Sequence, residues 1–167
     1  VCDWSLGAGG PAGLEVAKRV TLDGLEVSPG GPADTLQIAD PAYRAQLKAK
    51  AKELGIAISS VAMGLLNGCP LATDPRGPAW LEQTIDATKD LGAKPVLLAF
   101  FGAGDLREGN GLKAKAVDAV VQRLRDAAPR AEKAGVVLGL ENYLTAKQNL
   151  GILDRVGSDA VQVYYDA

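Results

Sequence analysis

Two acids stand at the ends of apolar runs. In VVLGLENY, residues 136–143, Glu141 follows a run of aliphatic and small residues and is succeeded at once by Asn142; in AVQVYYDA, residues 160–167, Asp166 closes a second such run. Burying an unpaired carboxylate is costly, so an acid ending a strand that reads as buried asks for a reason. If the two strands are neighbours in a parallel sheet, their backbones lie about 4.8 Å apart and the side chains at their C-terminal ends converge. Carboxylates that close repel one another unless one takes a proton or a cation lies between them. A divalent ion resolves the conflict, and hard oxygen donors favour Mg²⁺ or Mn²⁺ over zinc. For either residue taken alone, the plainer reading, an acid opening a solvated loop, stands beside this one.

The remaining inventory narrows the chemistry. There is no histidine, which removes the commonest metal ligand and the usual base at neutral pH. Catalysis by these residues therefore rests on carboxylates, amides, lysines or a bound cofactor. Cys2 and Cys69 are far apart and lack CxxC spacing, so they read as small buried hydrophobes rather than as a zinc site or a disulfide. With 47% hydrophobic and 23% charged residues and a net charge of −2, the composition is that of a globular protein without the basic field that nucleic acid requires. The most apolar stretch, PVLLAFFGAG, is far short of the roughly 20 residues of a membrane span. The text opens at Val1 in strand-like sequence, so an initiator Met, and with it any export leader, is expected upstream. The compartment stays open, with the cytoplasm favoured.

The elements that must position the acids alternate in kind. Strand candidates are Val1–Leu6, Leu25–Ser28, Ile56–Met63, Pro95–Phe101, Val136–Asn142 and Ala160–Asp166, with amphipathic segments between them. In DPAYRAQLKAKAKELG, Asp40 caps, Pro41 suits the first helical position, Tyr43, Leu47, Ala51 and Leu54 form a stripe, and Gly55 terminates. GPAWLEQTIDATKDLG repeats the scheme with Trp80, Leu81, Ile85 and Thr88, ending at Gly92. A long helix over Leu112–Ala134 is expected to kink or split at Pro129, and Thr145 with Gln148 matches a capping box. No repeat, low-complexity tract or linker divides the chain, so residues 1–167 read as one domain.

Alternating βα units imply a parallel sheet, either open and doubly wound or closed as a (β/α)8 barrel. The glycines of SLGAGGPAG are in the wrong register for a dinucleotide turn. A barrel usually takes about 250 residues and rarely fewer than about 200. Six strands in 167 residues therefore read as an incomplete TIM barrel, with strands seven and eight not included. Unclosed strands offer unpaired backbone groups, so association between copies is expected. SPGGPADT and NGCPLATDPRGP each follow a strand and precede a helix, which puts them on the C-terminal face where such folds keep their sites.

Taken together, VCDWSLG, LEVSPGG, VLLAFFGAGDL, APRAEKAGVVLGLENY and DRVGSDAVQVYYDA resemble the xylose isomerase-like barrel family, and within it the bacterial sugar phosphate isomerases and epimerases. The resemblance spans the chain in order and is cumulative rather than carried by one motif. It implies a divalent metal at the C-terminal mouth held by a Glu on strand five, an Asp on strand six, a His or similar residue on strand seven and a Glu on strand eight. Glu141 and Asp166 match the first two, and the others have no counterpart here. The implied reaction is isomerisation or epimerisation of a ketose or sugar phosphate, with the cation stabilising an enediolate. Glu141 would serve as ligand and acid/base, and Asp166 as ligand only.

Lesser candidates accompany them. Trp4, near the mouth end of the first strand, offers a face to a sugar ring or belongs to the core. Asn142 either bonds a substrate hydroxyl or caps a loop, and Phe101 lines the pocket. Glu26, flanked by Leu25 and Val27, points opposite to them, into the pocket or out to a lysine. KAKAKE, residues 48–53, is a solvated helix face. Rival readings are a non-catalytic sugar-binding or scaffolding barrel and, from the same superfamily, an apurinic endonuclease, whose histidines and basic groove are lacking.

Overall fold

The computed structural model describes residues 1–166. Helix and strand alternate as α1 (Gly10–Arg19), β1 (Gly24–Val27), α2 (Pro41–Leu54), β2 (Ala57–Met63), α3 (Gly77–Asp90), β3 (Pro95–Phe100), α4 (Ala114–Ala134), β6 (Val137–Asn142), α5 (Ala146–Val156) and β7 (Val161–Val163). A two-residue antiparallel ladder, β4 (Arg107–Glu108) with β5 (Gly111–Leu112), sits in the loop after β3. The five long-range strands pair in parallel in the order β1-β2-β3-β6-β7.

The local signals act as their chemistry requires. Asp40 accepts a hydrogen bond from the Ala42 amide at 2.8 Å at the start of α2, and Gly55 ends that helix in the left-handed region with φ 63°. Thr145 and Gln148 close a reciprocal capping box at the start of α5. Expectation fails at two places. Val1–Leu6 is not a strand: Cys2 alone bridges to Glu26, and Asp3–Leu6 coils into a 3-10 turn. The cause is Asp3, which is buried and accepts from the Ser28 amide at 3.0 Å and the Ser28 hydroxyl at 2.9 Å, so the chain bends to satisfy it. The second is Pro129, where α4 runs on unbroken. Pro129 and Arg125, whose carbonyl loses its partner, both lie on the exposed side, where water serves the vacant acceptor.

Strand residues alternate between two apolar layers. Leu98, Phe100, Leu138 and Leu140 join the large cluster between sheet and helices, whereas Cys2, Ala62, Leu97 and Ala99 form a separate small cluster on the other face with Phe101 and Tyr164. Burial on both faces is why these strands read as continuous apolar runs. The sheet is strongly curled: Tyr164, just past β7, donates its hydroxyl to Glu26 on β1 at 3.0 Å, although these strands stand at opposite ends of the order. The inner face is therefore the interior of a curled β/α sheet. At the β7 side, Val163 and Tyr165 are exposed.

Gly139 makes room for this arrangement, since an added Cβ would lie 2.8 Å from Cδ2 and 2.9 Å from Cβ of Tyr164. Gly139→Ala is expected to cost about 1–3 kcal/mol by overpacking. Gly151, in α5 with open space around it, is the control: Gly151→Ala should add up to about 1 kcal/mol through helix propensity. Urea denaturation of the two variants checks both signs.

Candidate active site

The interior opens at the C-terminal ends of the strands into a cavity of about 720 Å³. β6 alternates, so Gly139 and Glu141 face inward while Leu138 and Leu140 face the helices. In register, Ala99 of β3 lies beside Glu141. The Tyr164 amide continues the ladder to the Leu140 carbonyl at 3.0 Å, and two residues on, on the same side, Asp166 reaches the cavity.

Four of the five expected residues, Trp4, Phe101, Glu141 and Asp166, line this space. Trp4 is half-exposed and lies over Gly64, where an added Cβ would stand 3.1 Å from its ring carbons. Phe101 is fixed by the Asn67 side-chain oxygen, which accepts from its amide at 2.9 Å, and by edge contact with Tyr143 at 4.6 Å. Tyr143 in turn carries the Arg107 guanidinium over its ring at 4.3 Å.

Asn142 lies on an adjoining cavity, which Phe101, Glu141, Tyr164 and Asp166 also line. Adjacent strand residues point to opposite faces, so with Glu141 inward Asn142 turns toward α5. There it accepts from the Leu144 amide at 2.8 Å and donates to the Asn149 side-chain oxygen at 2.9 Å. Its amide anchors the loop into α5, and it faces the adjoining space rather than the main cavity.

Of two further polar groups on the cavity, the sequence leaves Glu26 open between pocket and lysine and does not single out Tyr164. Glu26 is inside, 8% exposed, and its Oε2 accepts from the Ser60 hydroxyl at 2.6 Å and the Tyr164 hydroxyl at 3.0 Å. Leu25 and Val27 fill the helix side, which is the signal that sends Glu26 inward. Tyr164 lies two residues before Asp166, and that spacing alone gives the same face.

No Lys, Arg or His lines the cavity among the described residues, so its field is set by acids. Burial first, then Asp166 and then Glu26 raise the proton affinity of Glu141 above the usual carboxylate range. Burial, with Glu26 next, pushes the Tyr164 phenol up. The Cys2 thiol is raised by burial and then by Asp3 and Glu26, which keeps it protonated and unreactive. The donor set suits a hard divalent cation in kind, being carboxylate oxygen. It does not complete a site by itself, because no group of three or more His, Cys, Asp or Glu side chains able to hold a metal occurs among the described residues.

A curled parallel sheet with helices on its outer face and a polar cavity at the strand C-termini defines a β/α barrel protein. A family model described as xylose isomerase-like TIM barrel matches residues 14–167, and the chain belongs to that family. It is 28% identical over 166 residues to 2-epi-5-epi-valiolone 7-phosphate 2-epimerase of Actinoplanes sp., covering 98% of this chain and 59% of that protein. Among solved structures it resembles L-ribulose 3-epimerase, with a TM-score of 0.69 and 26% identity over 96% of this chain and 57% of the other. A xylose isomerase-like TIM barrel protein of Mycobacterium smegmatis in complex with magnesium gives a TM-score of 0.73 at 19% identity, covering 93% of this chain and 55% of the other. The chain thus spans somewhat over half the length of these relatives.

The raised proton affinity of Glu141 has a consequence for stability. The folded state binds this proton more tightly than the unfolded chain, so the residue detracts from stability once pH exceeds the ordinary glutamate range, and the penalty is relieved as pH falls. In EDTA, Glu141→Gln should melt above the parent protein at about pH 7 and coincide with it by about pH 4. Coincident melting at both pH values would give Glu141 an ordinary solvated environment, and the reverse order at neutral pH would mean that the fold stabilises its carboxylate.

Proposed function

We propose that the whole protein is a divalent-metal-dependent isomerase or epimerase of a ketose or ketose phosphate, working through an enediolate. The observation that carries this reading is the presence of Glu141 and Asp166 on one cavity at the strand ends, with Glu141 already feeling the charge of Asp166. The epimerase relatives at 28% and 26% identity support the reaction class.

In this proposal Glu141 and Asp166 hold the cation from the β6 and β7 sides, together with donors beyond these two. A bound Mn²⁺ or Mg²⁺ supplies Lewis-acid polarisation of a carbonyl. Glu141 takes the proton from the carbon beside the substrate carbonyl. Asp166 serves only to hold and orient. Trp4 offers the sugar ring an aromatic face on one side of the cavity, and Phe101 walls the other and excludes water.

The test uses the whole protein with Mn²⁺ and a panel of ketohexoses and their phosphates in D₂O. Deuterium should enter at the carbon next to the carbonyl, and Glu141→Gln should slow that exchange by about a hundredfold or more. Calorimetry should show weaker Mn²⁺ binding for Glu141→Gln and Asp166→Asn, with no change for Asp154→Asn on the exposed side of α5. Parent-like Mn²⁺ affinity in Glu141→Gln sinks the proposal. Sugar binding without any deuterium entry favours a non-catalytic sugar-binding barrel.

A further inference from the structure

Glu26 is the one buried carboxylate of the cavity to which the proposed reaction gives no part. It sits on β1, opposite the acids of β6 and β7, and both of its hydroxyl donors converge on Oε2. The Tyr164 contact spans the interior between strands at opposite ends of the sheet order. The Tyr164 ring occupies space that only glycine at position 139 leaves free. Side chain, sheet curl and missing Cβ thus agree on a single placement for Tyr164.

That placement matters because β7 is short. Its ladder runs Val161–Val163 and continues through the Tyr164 amide to Leu140, while Asp166 lies beyond the last paired residue. The hydroxyl of Tyr164, tied to an anchored carboxylate, is what restrains the segment that carries Asp166.

We propose that Glu26 and Tyr164 are positioning residues: their contact across the interior fixes the end of β7 and so places Asp166 beside Glu141. This rests on the reading of Glu141 and Asp166 as holders of the cation. Tyr164 restrains the backbone of the Asp166 segment, and Ser60 fixes the carboxylate that Tyr164 grips. Among the described residues no Lys, Arg or His side chain lines the cavity to relieve Glu26. Its charge therefore also adds to the negative field, so contact and field must be separated by experiment.

Tyr164→Phe separates them, since it keeps the ring against Gly139 and the charge on Glu26 while removing the contact. In the whole protein it should weaken Mn²⁺ binding about tenfold and speed hydrogen exchange at the residue 164 amide about tenfold. Tm should fall by no more than about 4 °C. Glu26→Ala, which removes contact and charge together, should weaken Mn²⁺ binding at least as much, and the double variant with Tyr164→Phe should be no weaker than Glu26→Ala alone, because the tyrosine then has no acceptor left to lose. If Glu141→Gln binds Mn²⁺ weakly while Tyr164→Phe binds it as the parent does, the proposal is overturned and any effect of Glu26→Ala belongs to the lost charge. If Glu141→Gln itself binds like the parent, the metal reading has failed separately. Exchange at residue 164 then decides the contact: a tenfold rise sustains the restraint and an unchanged rate overturns it.

Discussion

Repulsion between carboxylates inside one cavity is the load that the rest of this fold must bear. Like charges brought to one cavity repel, and no Lys, Arg or His side chain lines this one among the described residues. Glu141 registers the strain directly, in a proton affinity raised by burial and by its acidic neighbours. What keeps the acids together is parallel pairing. Pairing sets Ala99 beside Glu141 and Val163 beside Leu140, and past that register Tyr164 still bonds Leu140 through its amide and Glu26 through its hydroxyl.

The two-layer construction makes that rigidity affordable. The helix-facing layer, with Trp80, Ile85, Leu98, Phe100, Leu124 and Leu138 fully buried, supplies the apolar burial. The interior layer is small and gives way to polar groups toward the mouth. Loops at that mouth are pinned to the outer layer. The Trp80 indole donates to the Ala33 carbonyl at 2.7 Å and the Gln83 side-chain oxygen accepts from the Leu36 amide at 2.8 Å, so the long segment after β1 is held against α3.

Much of this was legible from residue order. Asp40, Gly55 and the Thr145–Gln148 box announce helix ends by local chemistry that needs no tertiary context. Glu141 stands out because an apolar run seldom closes on an acid without cause. Illegible features were those decided across the interior. Nothing local says that Asp3 will be drawn in by Ser28, 25 positions away, and end the first strand at Cys2. Glu26 was ambiguous because alternation gives the opposite of Leu25 and Val27 without saying which side is a cavity. Asn142 stayed open between two readings, because a period of two turns it from the side of Glu141 without saying that a second cavity adjoins there.

Anomalous diffraction from crystals of the whole protein grown with Mn²⁺ tests the central claim most directly. The account predicts one strong peak in the mouth of the sheet, about 2 Å from an oxygen of Glu141 and an oxygen of Asp166. Manganese bound elsewhere and touching neither carboxylate, or no peak with the cavity filled only by water, would contradict it.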